Sequence, residues 1–235
     1  MSQSVDLLDT PMYSPIFVAR LVGLRPERVR RWLRGYKYRY ASVLGAQPET
    51  REKRPVVHRR GAEGSSFASF LDLIDLLFVK RFVGTGLSLQ RLRLALDETT
   101  ELLGDHHFAQ RRFWTDGHEI YLQVREKSNS LIQLLTRGQW AIAPIIQATA
   151  LQIDFSEATS LAEKWFPLGR QRPIVLDPKV AFGSPSIVKR GILTSNVYDL
   201  YMAEDKNLGS VCTWMGVDEE EARTAVEFEQ MLAAA

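Results

Sequence analysis

Cysteine is nearly missing from this 235-residue chain, with Cys212 the only one. An intrachain disulfide is therefore excluded, and a reducing, cytoplasmic setting is expected. Histidine is scarce as well, with four residues, which leaves little material for a metal site. No run approaches the ~18 apolar residues that span a bilayer, so no membrane partner is expected. The opening Met1-Ser2-Gln3-Ser4-Val5-Asp6 lacks the basic and apolar regions of a secretion signal. There is no glycine-rich phosphate loop and no nucleophile elbow. Asp105, His106, His107, Asp116 and His118 form the one cluster of possible metal ligands. Adjacent histidines on a strand point to opposite faces, and the Asp116-Gly117 turn explains Asp116 by itself. Cys212 has no second thiol, which argues against redox or metal sensing. These absences point away from an enzyme and from any bound cofactor or metal.

What the chain does have is charge, unevenly spread. Between Arg20 and Arg60 lie thirteen Lys or Arg and only Glu27, Glu49 and Glu52 as acids, a balance of 13 − 3 = +10. Residues 200–235 carry Lys206 and Arg223 against eight acids, a balance of 2 − 8 = −6. The whole-chain value of +2 conceals both. Such asymmetry marks nucleic-acid contact at the basic end.

The basic stretch has a pattern. Ser14 and Pro15 start a helix, Gly23 permits a tight turn, and Pro26 starts a second helix. In the second helix Val29, Trp32 and Leu33 fall at helical spacing and form its buried stripe. Two short helices about a glycine turn make a helix-turn-helix. Tyr36-Lys37-Tyr38-Arg39-Tyr40 alternates strictly, so its tyrosines and cations face opposite ways in a strand. Val56-Val57 is read as the return strand of a basic wing that ends at His58-Arg59-Arg60. Arg28 and Arg31 are assigned to guanine edges, where a bidentate pair gives about 1–3 kcal/mol of discrimination. Arg25, Arg30 and Arg34 on the same helix, and Lys37, Arg39, Arg59 and Arg60 on the wing, are assigned to the duplex, chiefly its phosphates. One helix-turn-helix covers one half-site, so a homodimer on double-stranded operator DNA is expected.

Further along, Phe67–Arg81 reads as an apolar helix broken at Gly84 and Gly86, and Ser88 caps the next. Residues 112–122 read as a hairpin about Asp116-Gly117. Helical tendency is read across 128–155, with Pro144 as an interruption, and a short helix or turn over 158–165. Leu168–Pro173 reads as a linker. Short strands are expected at Ile174–Leu176 and within 187–193. Thr194 is read as the cap of a further helix, Gly216 as a turn, and Asp218 as the cap of the last helix. The fold class is mostly α with short β-hairpins, in three parts: residues 1–104, 105–170 and 171–235.

Two segments resemble known families. Leu24-Arg25-Pro26-Glu27-Arg28-Val29-Arg30-Arg31-Trp32-Leu33, with Phe70-Leu71-Asp72-Leu73 and Gly86–Ala95, resembles the MerR-type winged helix-turn-helix. Asp177-Pro178, Phe182–Pro185, Gly191–Thr194, Val211, Trp214–Val217 and Val226–Phe228 resemble a small helix-turn-helix domain of bacterial antitoxins. The tail departs from the common pattern at Lys189-Arg190-Gly191 and Glu204–Asn207. In this order the two resemble VapB-type antitoxins. The resemblance implies a two-gene module in which the antitoxin neutralises a PIN-domain ribonuclease toxin and represses its own promoter. An acidic C-terminal segment could then cover the toxin's basic surface. The alternative is a MerR-like, ligand-responsive transcription regulator with no toxin.

Overall fold

The computed structural model describes residues 7–40, 47, 49–59, 64–103, 106, 108–111 and 144–235. They group into two compact units, residues 11–147 and residues 148–235 together with 1–10. The expected hairpin at 112–122, and Asp105, His107, Asp116 and His118, lie outside the described residues.

In the N-terminal unit, α1 (Pro15–Val22) and α2 (Pro26–Arg34) are joined by three residues. Ser14 caps α1 by accepting from the Phe17 amide at 3.2 Å. Gly23 closes α1 in the left-handed conformation, and Lys80 Nζ donates to Val22 O at 2.6 Å across the same end. Burial first, and the neighbouring Arg81 second, hold the Lys80 ammonium below its usual pKa. Val29, Trp32 and Leu33 are all buried, as their spacing requires. Fully burying side chains of this kind is worth about 1.5–3 kcal/mol each.

A two-stranded antiparallel hairpin comes next, β1 (Tyr36–Tyr40) with β2 (Glu49–Lys53), in the register Tyr36 to Lys53 through Tyr40 to Glu49. The return strand is therefore not Val56-Val57. Those two valines are 0 and 3 % exposed, and both amides donate to Trp32 O, at 2.8 and 3.3 Å. Adjacent residues on a strand face opposite sides, so two buried neighbours suit a plug under α2 better than a solvated wing. They pin the hairpin's exit to the end of the helix that precedes it.

Behind these lies α3 (Phe70–Gly84), started by a capping box in which Ser69 Oγ accepts from the Asp72 amide and Asp72 accepts from the Ser69 amide. It is buried nearly all round, from Phe70 to Phe82. Then comes α4 (Leu89–Leu103), with Leu92 and Leu96 buried and Ser88 accepting from the Arg91 amide. The unit does not close at Gly104, because Phe108 and Ala109 are fully buried. The Phe108 ring lies 5.1 Å from Phe82 and 5.8 Å from Phe78.

Pro144 begins a helix instead of interrupting one: α5 is Pro144–Ala150. In the C-terminal unit β3 (Ile153–Phe155) pairs antiparallel with β4 (Ala162–Trp165), and β5 (Ile174–Val175) with β6 (Ser186–Ile187). The helical reading is thus corrected to strands at 153–155 and 162–165, while a turn lies at 157–159. A bridge between Trp165 and Leu176 joins the two hairpins, which is why residues expected in a middle region belong to this unit. Leu168–Pro173 is fixed, not a free linker. Arg170 bonds Leu151 O, Ile153 O and Asp154, and Arg172 pairs with Glu227 at 2.6 Å. Three helices complete the unit: α6 (Thr194–Ala203), α7 (Leu208–Met215) and α8 (Glu219–Ala234). The cap of α6 is Leu193, and Thr194 is its first residue, bonding Pro185 O and Glu229 instead of the helix. Asp218 caps α8 in a capping box with Glu221. No described helix is long and apolar enough to cross a membrane.

Candidate nucleic-acid interface

The amphipathic cut of α2 sets the site. With Val29, Trp32 and Leu33 turned inward, Arg28, Arg30, Arg31 and Arg34 are left exposed, and so is Arg25 at the N-cap. No side chain caps the first turn of α2, so the positive end of its dipole stays open toward solvent. Among the described residues the side chains of Arg25 and Arg28 have no hydrogen bond or ion pair. Arg30 has only an exposed contact with Glu27 at 3.8 Å, worth about 0–1 kcal/mol. Arg34 Nη1 donates to Ser66 Oγ at 3.0 Å, which steadies it at the end of the helix. Arg31 lies over the Tyr36 ring, 5.0 Å from its centroid. That cation–π contact orients the guanidinium while leaving its N–H groups to donate.

The hairpin extends this face. Lys37 and Arg39 point to the side opposite the tyrosines and lie across from Glu52 and Thr50. Arg51 lies over the Tyr40 ring at 4.2 Å, a diagonal cross-strand pair. Gly35 links helix and strand with φ 73°; a Cβ there would come within 2.3 Å of Lys53 O. Only glycine lets the chain pass from α2 into β1 against the returning strand.

Of the nine cations assigned from the sequence, seven are exposed on this helix–hairpin surface: Arg25, Arg28, Arg30, Arg31, Arg34, Lys37 and Arg39. Arg60 lies outside the described residues. Arg59 is a correction, because its side chain is 2 % exposed and so cannot meet a phosphate. Its Nη atoms donate to Ser65 O and Phe67 O at 2.9 and 2.6 Å, and its Nε lies 2.9 Å from Asp72 Oδ2. Burial raises the Asp72 pKa, while Arg59 and then His106 pull it back down. Asp75 continues this polar core. It accepts from the Phe108 and Ala109 amides at 2.9 and 3.1 Å, and its Oδ2 lies 3.2 Å from His106 Nδ1. His106, a candidate metal ligand in the sequence, is thus engaged with a structural carboxylate. Among the described residues no group of three His, Cys, Asp or Glu is placed to hold a metal. Cys212 has its thiol pKa pushed up, by burial first and then by Glu219 and Asp218, which disfavours the reactive thiolate.

This surface holds one cation beyond those nine. Arg93, on α4, donates from Nε to Arg54 O at 3.0 Å and to Pro55 O at 3.3 Å. It lines a cleft of roughly 490 Å³ together with Arg25, Arg28, Arg31, Tyr36 and Leu89. The sequence held a faint signal for it: a second basic side, Arg91 and Arg93, just after the Ser88 cap.

No protein-family model matches the chain. It is 24 % identical over 207 residues to a Mycobacterium tuberculosis protein named "Putative antitoxin VapB45", spanning 83 % of this chain and 84 % of that one. The crystal structure of Rv2018 from the same organism superposes with a TM-score of 0.69 at 20 % identity, over 93 % of this chain and 99 % of that one. The likeness to Rv2018 shows a shared fold.

Proposed function

We propose that this chain is the antitoxin of a toxin–antitoxin module. In this reading it acts by binding alone, as a dimer, with residues 15–53 serving as a MerR-like winged helix-turn-helix on operator DNA. The observation that carries the DNA part is the exposed arginine face of α2, where the Arg25 and Arg28 side chains have no partner within the described residues and Arg31 is set on Tyr36. Unpaired cations on a helix with an uncapped N-terminus suit an anionic duplex. The distant likeness to a protein named as an antitoxin supports the module.

The toxin partner is a PIN-domain ribonuclease, met by the acidic C-terminal unit. There Trp214 is 75 % exposed on α7, shortly ahead of Glu219, where the acidic first turn of α8 begins. An aromatic anchor with an acidic rim suits a basic protein surface. Mobility shifts of the protein on its own upstream region, at several salt concentrations, test the DNA part. Each phosphate neutralised adds about 0.9 to the log–log salt slope, and a salt-independent or absent shift refutes it. Co-expression with the product of the adjacent gene tests the toxin part. A stable complex weakened by Trp214→Ala is expected, and no complex with the native chain refutes it.

A further inference from the structure

We infer that the cleft between α2, β1 and α4 is an anion subsite seating one phosphate group, and that Arg93 contributes to it from outside the recognition helix. The inference rests on the DNA reading, under which the group is a backbone phosphodiester.

Four arginines line the cleft, Arg25, Arg28, Arg31 and Arg93, with one acid, Glu27; Arg93 also lines the neighbouring cleft that holds Asp97. The Glu27 carboxylate lies 3.8 Å from Arg30, a cation outside the lining. Four like charges around a concave, partly desolvated space repel one another, and an anion relieves that repulsion. Two of the four are held before any ligand arrives. Arg31 rests on the Tyr36 ring, and Arg93 is fixed through Nε by two backbone carbonyls. No ion pair forms on Arg93 among the described residues; burial lowers its pKa, and Tyr36 and then Asp97 offset part of that shift. A fixed planar fork suits the oxygens of a phosphate, which it can meet bidentately. The first turn of α2, uncapped by any side chain, opens beside Arg25 at the same cleft. At roughly 490 Å³ the space falls in the range of small-ligand sites, so it can take a phosphate with part of its sugar.

The test compares Arg93→Gln, Arg93→Lys and the native chain on operator and scrambled duplexes. With the fold checked by thermal melting, Arg93→Gln should weaken both duplexes alike, on the order of tenfold, and lower the salt slope by about 0.9. Arg93→Lys should keep the slope, because it keeps the charge. A series of duplexes with one phosphate each made neutral as a methylphosphonate locates the group. One position should weaken the native chain and be indifferent in Arg93→Gln. Should Arg93→Gln fail to fold, Arg25→Gln carries the same measurements, since the Arg25 side chain has no internal partner to lose. An unchanged slope in the folded variant, or equal weakening of both proteins at every neutralised position, overturns the subsite. Absence of native duplex binding refutes the DNA reading instead, and inorganic phosphate then decides the subsite by calorimetry. Saturable binding lost in Arg93→Gln supports a free-phosphate source, and no binding overturns it.

Discussion

The two units each contain a pair of short helices joined by three residues, and the pairs match in backbone. Gly23-Leu24-Arg25 joins α1 to α2, and Gly216-Val217-Asp218 joins α7 to α8. Both glycines are left-handed, at φ 65° and 64°, and both second residues are buried. The difference lies in the third residue and in the helix that it begins. Arg25 leaves α2 uncapped and precedes a basic face. Asp218 closes α8 with a capping box and precedes Glu219, Glu220 and Glu221. One backbone device thus offers an open positive helix end in one unit and a closed, acid-covered one in the other. Motif geometry alone does not assign a partner, and the exposed side chains do.

The contrast can be broken or sharpened experimentally. Arg59→Met removes the partner of buried Asp72 and should cost about 3–5 kcal/mol. Calorimetry should show that loss in a transition of the N-terminal unit, with the C-terminal unit's melting unchanged. Reversing Arg28 and Arg31 together to Glu should weaken duplex binding by about 2–4 kcal/mol, read as a shifted midpoint in titration; unchanged binding would remove α2 as the reading element. Gly35→Ala should destabilise by about 2–3 kcal/mol, because a left-handed residue acquires a Cβ against a fixed carbonyl. Gly216→Ala, with open space around its Cβ, should cost about 1–2 kcal/mol. Neutralising Glu219 and Glu220 to Gln should leave duplex affinity within about twofold, since acids make no favourable contact with phosphates. A large change there would make the acidic helix part of the DNA site.

Local rules made much of this legible. Ser14, Pro15, Gly23 and Pro26 bound α1 and α2 where their chemistry requires, and Tyr36–Tyr40 is the strand its alternation implies. The partner strand is not legible, because Glu49-Thr50-Arg51-Glu52-Lys53 is polar throughout. A hairpin with both faces in water has no apolar face to announce it. Val56 and Val57 looked like a strand because their task, plugging the core beneath Trp32, is a long-range one. The same limit applies at the site. Arg59 is indistinguishable from its neighbours in sequence until Asp72 is placed beside it, and Arg93 joins the cleft only once α4 has been packed. Helical surface arginines can be found by periodicity, but those defined by tertiary partners cannot.

Asp75 has a consequence for how the N-terminal unit opens. Its carboxylate takes up the amides of Phe108 and Ala109, 33 and 34 residues further along the chain, on a segment that also buries Phe108. Solvent deuterium can reach those two N–H groups only after the clasp on α3 has come undone. Their exchange should therefore run on the slow clock of whole-unit unfolding, while amides at the exposed hairpin exchange through far smaller openings.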